Sequence, residues 1–114
     1  MAISEAYANS ATISTTEYSL PNNSTTPASI TTDGVFQVFL DTSTMTVTEQ
    51  YEIKIKEKCR SASTQREIYT AVLTGTMAST WVSPSLILLH GWDVTVKKLA
   101  GTDRSIEWSI RQVA

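Results

Sequence analysis

The sequence contains very little of what catalytic or covalently cross-linked domains need. It has one cysteine, Cys59, one histidine, His90, four glycines and three prolines among 114 residues. A single cysteine excludes an internal disulfide, and one cysteine with one histidine falls short of the three or four ligands of a zinc site. The glycines are scattered singly, so no phosphate-binding loop is present. We therefore expect no metal and no cofactor, and a fold held by packing alone.

The sequence also lacks an excess of basic charge and any long apolar run. Its formal net charge is −2 and its pI is about 5.3, which offers no attraction to phosphate backbones or anionic lipids. No stretch approaches the ~20 apolar residues that span a bilayer. The first seven residues lack the basic start and apolar run of a secretory signal. We expect neither nucleic acid nor membrane as a partner, and synthesis in the cytoplasm.

What is present favours strands. Hydrophobic residues make up 41% of the chain and charged residues 18%, which is typical of a globular protein of one domain. Threonine is abundant, as in residues 42–48, and a β-branched side chain suits a pleated surface better than a helix.

Two segments give the clearest strand patterns. Residues 51–56 alternate apolar and charged side chains, which predicts a half-buried strand with solvated lysines. Residues 35–40 predict a second strand, in which Val35 and Phe39 lie on the face opposite the core. That face is too apolar for free water, so it is either covered by the N-terminal segment or offered to a neighbour.

Alternation and turn signals also assign most of the remaining chain. They predict an edge strand at 12–20, a loop at 21–33, a connection at 41–49, a hairpin loop at 60–64, a central strand at 65–74, an edge segment at 81–84, a run buried on both faces at 86–89, and a hairpin of 92–99 with 106–110.

About seven or eight short strands without a strong helix predict an all-β antiparallel sandwich or jelly roll. The jelly roll is favoured because the long connections suit strands that cross between sheets. Residues 1–11 show too little periodicity to bury a face, so they are predicted to form an extended N-terminal arm, with residues 12–114 as the single sandwich domain. Ordering such an arm costs roughly 10–20 kcal/mol of backbone entropy, which indicates contacts with a neighbouring subunit.

Catalytic arrangements are weak in this sequence. His90 is interpreted as a core histidine, and a triad of a serine, His90 and Asp93 lacks the strand-turn-helix elbow and oxyanion loop that it needs. Glu57, Asp93 and Glu107 alternate with apolar residues and are predicted to face solvent rather than each other. We predict that the protein is not an enzyme, and a hydrolase using His90 remains a third hypothesis.

Candidate binding residues come from the apolar and planar side chains. Trp92 and Trp108 alternate in phase with core residues, whereas Trp81 is predicted to be exposed and could stack on a sugar. Arg104 and Arg111 flank the final strand and suit carboxylates of a neighbouring subunit, with solvation as the alternative. The predicted interface residues are Ile3, Tyr7, Ile13, Val35, Phe39, Trp81, Arg104 and Arg111.

Four segments, TTEY at 15–18, DGVFQ at 33–37, GWDVT at 91–95 and GTDRSIEWSIR at 101–111, resemble small virion-associated proteins of tailed bacteriophages. The likeness runs from about residue 12 to the end and assigns no site residues. It implies a head decoration or cement protein that docks on the capsid shell and clamps capsid subunits. The implied partner is the major capsid protein, with assembly as a homo-oligomer such as a trimer, and the implied location is the virion.

The leading hypothesis is therefore a phage capsid decoration protein that binds through the N-terminal segment and the outer face of residues 35–39. The alternative is a carbohydrate-binding virion module that uses Trp81 for adhesion to the host surface.

Overall fold

Alternating side chains build nine strands in residues 2–113, the part of the chain that the computed structural model describes. The strands are β1 Ile3–Ile13, β2 Tyr18–Ser19, β3 Gly34–Asp41, β4 Gln50–Lys58, β5 Gln65–Thr74, β6 Trp81–Val82, β7 Leu86–Leu88, β8 Asp93–Ala100 and β9 Arg104–Val113. This part of the chain contains no helix long and apolar enough to cross a membrane.

The strands form two antiparallel sheets packed face to face. The first sheet has the order β1-β9-β3-β6, with β7 also pairing with β3, and the second has the order β2-β8-β4-β5. The prediction of an all-β sandwich is confirmed. The buried core between the sheets consists of Ile13, Leu20, Phe36, Val38, Leu40, Met45, Tyr51, Ile53, Ile55, Leu73, Leu88, Trp92, Val94, Val96, Ile106, Trp108 and Ile110.

The core prediction for two tryptophans is also confirmed. Trp92 is 0% exposed and Trp108 is 4% exposed. The ring of Trp92 lies 4.6 Å from that of Phe36, and its Nε1 donates a hydrogen bond to the carbonyl of Thr32 at 2.8 Å. Burying an indole without losing its polar contact explains why this residue can occupy the centre of the sandwich.

The N-terminal segment is extended, but its position differs from that of the predicted arm. From Ile3 onward it forms β1, which pairs with β9 as far as Ile13 and has one register shift between Glu5 and Tyr7. Met1 lies outside the described residues. The contacts expected from a neighbouring subunit come from β9 of the same chain, so the sandwich begins at Ile3 rather than at residue 12. β1 gives little alternation because most of its side chains are exposed on both faces of the sheet.

The predicted C-terminal hairpin is wrong. β8 lies in the second sheet between β2 and β4, and β9 lies in the first sheet between β1 and β3. The turn between them crosses from one sheet to the other at Gly101, where φ is 88° and an added Cβ would lie 2.6 Å from the carbonyl oxygen of Thr48. Alternation identified the buried side chains, but it cannot identify the partner strand.

Three further assignments need correction. Residues 12–20 do not form one strand, since β1 ends at Ile13 and β2 contains two residues. β5, predicted to be central, lies at the edge of the second sheet. The run 86–89 is not buried on both faces, because Ile87 is 80% exposed. By contrast, the strands predicted at 35–40 and 51–56 and the hairpin loop at 60–64 are confirmed.

The long connection between β2 and β3 folds against the second sheet. Asp93 of β8 is 1% exposed and accepts hydrogen bonds from Ser19 Oγ at 2.7 Å, from the Ala28 amide at 3.1 Å and from the Val94 amide at 2.8 Å. Burial raises the pKa of this carboxyl although these bonds oppose the shift. Asp93 was predicted to face solvent, and it does point outward from β8, but the connection covers it.

Candidate functional site

The outer face of the first sheet carries an apolar row that crosses four strands. The register places Ile3 of β1, Val113 of β9, Val35 of β3 and Ile87 of β7 side by side. Ile3 is 70% exposed, Ile87 is 80% exposed and Val35 is 36% exposed. We refer to these four side chains as the apolar row.

A stacked pair lies next to the apolar row. The guanidinium carbon of Arg111 is 3.7 Å from the ring centroid of Phe39, which is a cation–π contact. The Nε of Arg111 donates to Ser109 Oγ at 3.3 Å, and Ser109 Oγ donates to a carboxylate oxygen of Glu5 at 2.5 Å. These contacts hold the guanidinium over the aromatic ring, and the Arg111 side chain remains exposed.

Two hollows flank the stacked pair. One is a shallow cleft of about 420 Å³, lined by Glu5, Phe39, Asp41, Thr80, Val82, Glu107, Trp108, Ser109 and Arg111. The other is a hollow of about 200 Å³, lined by Ile3, Val35, Phe36, Gln37, Phe39, Ser85, Arg111 and Val113. The apolar row, the stacked pair and the outward residues that line these two hollows constitute the docking face.

The polar groups of the docking face are mostly acidic. Glu5, Asp41 and Glu107 surround the cleft, and Arg111 is the one basic residue among its lining side chains. The Ser43 amide donates to Asp41 at 3.0 Å and lowers the pKa of that carboxyl, so Asp41 is ionised at neutral pH. The face therefore combines apolar surface with fixed charges of both signs.

The structure brings together four of the eight predicted interface residues. Ile3, Val35, Phe39 and Arg111 come from three different strands, and all of them line the smaller hollow. β1 extends the sheet instead of covering it, so it does not lie over the apolar face of β3, where the side chain of Arg111 contacts Phe39.

The other four predicted interface residues turn away from the docking face. Ile13 is fully buried in the core, and Tyr7 points inward, with its ring 5.8 Å from that of Trp92. Trp81 is half-buried rather than exposed, and its ring lies 6.4 Å from that of Tyr69. All three pack against their own chain because the parity of their strands directs them into the sandwich.

Arg104 also has a partner within its own chain. Its Nε donates to the fully buried Glu49 carboxylate at 2.7 Å, and the Thr46 amide donates to the same oxygen at 2.8 Å. The Thr48 hydroxyl donates to the second oxygen, and together these bonds hold the pKa of Glu49 far below its ordinary value. Arg104 therefore fixes the β3–β4 connection through its Nε, while 31% of its side chain stays exposed.

Sequence reasoning missed several residues of the docking face, chiefly Ile87, Val113, Val82 and Ser109. Ile87 was hidden in a continuous apolar run, which is compatible with burial on both faces. Periodicity alone does not separate Ile87 from the neighbouring Leu88, which is buried.

The residues considered for catalysis do not assemble. His90 is half-buried rather than part of the core, and its backbone amide donates to Glu57 at 3.0 Å. Asp93 is bonded to Ser19 and to backbone amides instead of to His90. Glu107 lies on the first sheet, whereas Glu57 and Asp93 lie on the second. Within residues 2–113 no group of three His, Cys, Asp or Glu residues is placed to hold a metal.

Comparison with known proteins shows a shared fold. No protein family and no curated protein matches the chain. A solved Bacillus endospore appendage protein, from a family described as disulfide-linked pili, matches with a TM-score of 0.50 and 13% identity over 93% of this chain and 82% of that chain. Weaker matches are a xylan-binding family 22 domain (TM-score 0.43, 16% identity) and the C-terminal family 22 carbohydrate-binding module of Clostridium thermocellum Xyn10B (TM-score 0.42, 15% identity), each over 86% of this chain and 64% of the other.

Proposed function

We propose that this chain is a non-enzymatic structural subunit of a virion, a decoration protein that docks on the capsid shell of a tailed phage through the docking face. The observation that carries the proposal is the uncovered apolar row beside the fixed Phe39–Arg111 pair. Monomeric proteins seldom leave a contiguous apolar surface in water unless another molecule covers it.

The apolar row supplies the attraction. Full burial of an isoleucine or valine side chain stabilises a complex by about 1.5–3 kcal/mol, and Ile3 and Ile87 are 70% and 80% exposed before docking. A capsid is a repeating lattice, so several modest contacts of this kind add up through the high effective concentration of each later contact.

The charged residues supply orientation. Arg111 is already held on Phe39, so it can bond to a partner carboxylate at a small cost in side-chain entropy. The carboxylates of Glu5, Asp41 and Glu107 favour basic residues at the matching positions of the partner. We expect the capsid surface to offer an apolar strip with an acidic group near Arg111 and basic groups around the cleft.

Two further points support this proposal. The resemblance to phage virion proteins, noted from the sequence, implies this role. The Bacillus appendage protein is described as forming pili, so an assembling subunit can have this fold, although 13% identity carries no contact residue over.

The test is to mix the purified chain with heads assembled from the major capsid protein of the same genome and to measure occupancy after sedimentation. Ile87→Glu should reduce occupancy at least about tenfold, because it places a charge in the apolar row. Val47→Glu is the matched control, since Val47 is 79% exposed but lies outside the docking face. Equal occupancy for both variants, or no binding by the unmodified chain, would overturn the proposal.

Carbohydrate binding is the second candidate. The cleft offers hydroxyl and carboxylate groups beside an aromatic ring, which is the chemistry that sugars need. However, Arg111 covers one face of Phe39, and Trp81 packs against Tyr69. Glycan-array binding that is lost in both Trp81→Ala and Phe39→Ala, with head occupancy unchanged, would favour this candidate over docking.

A further inference from the structure

The four edges of the two sheets differ in how well they are protected against pairing with another strand. β2 has two residues, and β6 and β7 have two and three residues with Pro84 between them. Short strands and proline are common means of blocking an edge. β5 is long, but it carries Arg66 and Glu67 and has a register shift opposite the Ile55–Lys56 step of β4. β1 is the remaining edge.

β1 has few of these protections. It runs for 11 residues without lysine, arginine or proline, and Glu5 is its one charged residue. Its register shift lies between Glu5 and Tyr7, so Tyr7–Ile13 is a regular and uncharged segment. Among residues 2–113, β9 is the one strand that pairs with β1.

Backbone groups on the free edge can be identified from two contacts. The Ser10 amide donates to Asn9 Oδ1 at 2.8 Å, a side-chain acceptor on its own strand, which indicates that it points to the free edge; pairing with another strand would replace this contact. The carbonyl of Ile13 points towards β9, where it accepts a hydrogen bond from Tyr51 Oη at 3.3 Å, and Tyr51 Oη also accepts one from the Arg104 amide. Because these directions alternate along a strand, Ala8 and Thr12 share the free edge with Ser10.

We propose that β1 pairs antiparallel with β1 of a second copy of this chain, about a two-fold axis at Ser10. Ser10 then lies opposite its own copy, and Ala8 lies opposite Thr12, so all three edge-facing residues exchange backbone hydrogen bonds. The two Glu5 residues are roughly 30 Å apart in this register, whereas parallel pairing would place them side by side. The uncharged segment is therefore self-complementary in the antiparallel direction.

This dimer has a consequence for docking, and that consequence rests on the function proposed above. A two-fold axis that pairs strands antiparallel is perpendicular to the sheet, so both docking faces lie on the same side of the dimer. Each dimer would present two docking faces to the shell, which strengthens binding without any new contact residue. The dimer itself can be tested without a capsid.

The experiment is sedimentation equilibrium of the full chain against two variants at one position. Ser10→Pro removes an amide that faces the free edge and leaves the β1–β9 hydrogen bonds in place, so the dimer dissociation constant should rise at least about tenfold. Ser10→Ala is the matched control and should remain a dimer, because its backbone is unchanged. Circular dichroism of each variant establishes that the sandwich is folded.

A monomeric unmodified chain, or a Ser10→Pro variant that dimerises as tightly as Ser10→Ala, would overturn the proposal. Hydrogen exchange gives an independent readout that needs no variant. The amides of Ala8, Ser10 and Thr12 should exchange more slowly as protein concentration rises, and exchange independent of concentration would also overturn it. Protection of these amides on heads alone would assign the edge to the capsid protein instead.

Discussion

The two outer faces of the sandwich differ in whether their outward side chains find partners within the same chain. On the second sheet, polar side chains find partners within the chain: Lys54 pairs with Glu67 at 2.9 Å, Lys56 with Glu17 at 2.8 Å, and the β2–β3 connection covers Asp93. On the first sheet, no element among residues 2–113 covers the apolar row. The paired polar groups of the second sheet contribute to stability, and its strand β5 also exposes Ile68 and Val72, each at 47%. The first sheet differs because its exposed apolar residues form one row across four strands.

The largest expected loss of stability comes from removing a buried acceptor of the second sheet, the carboxylate of Asp93. Asp93→Ala removes the acceptor for Ser19 Oγ and for the Ala28 and Val94 amides, and leaves the first and last of these donors buried and the Ala28 amide half-buried. We expect the free energy of unfolding to fall by about 2–4 kcal/mol, measured by urea denaturation.

Asp41→Ala is the matched control for Asp93→Ala on the docking face. Asp41 accepts one hydrogen bond, from the Ser43 amide, at an exposed site, so the loss should stay below about 1 kcal/mol. If both alanine variants lose similar stability, the proposed division of roles between the two faces fails.

A smaller effect concerns the dependence of stability on pH. Although partial burial opposes it, the hydrogen bonds from Lys56 and Thr95 lower the pKa of Glu17 below its ordinary 4.5. A lowered pKa in the folded state means that Glu17 stabilises the protein above pH 4.5 and loses this contribution as the pH falls through the lowered value.

Glu17→Gln should therefore reduce the free energy of unfolding at neutral pH by about 0.2–1 kcal/mol, the usual range for a solvent-exposed ion pair. The difference from the unmodified chain should shrink as the pH falls below 4.5. Denaturation curves at several pH values check this, and a difference that does not change with pH would show that the ion pair contributes nothing.

The contrast between the faces also explains which strands could be predicted from the sequence and which could not. β3 and β4 were predicted because every second side chain is apolar and points to the core. Val35 and Phe39 were predicted to be either covered by the N-terminal segment or offered to a neighbour, and β1 does not cover them. β1 was missed as a sheet strand because most of its side chains are exposed on both faces, which leaves little alternation to detect. β8 and β9 were wrongly predicted to pair with each other, because an alternating pattern shows which side chains are buried and not which strand lies beside them.

The smallest expected effect on stability, and the one that most directly isolates the docking face, is Arg111→Lys. Lysine keeps the positive charge, but it cannot lie flat on Phe39 or offer a planar pair of donors to a carboxylate. An exposed cation–π contact contributes about 0.5–1 kcal/mol, so stability should fall by no more than that. Occupancy on heads should nevertheless fall by roughly tenfold, because the fixed orientation of the charge is lost. Unchanged occupancy would show that Arg111 acts as a charge alone, and docking would then rest on the apolar row.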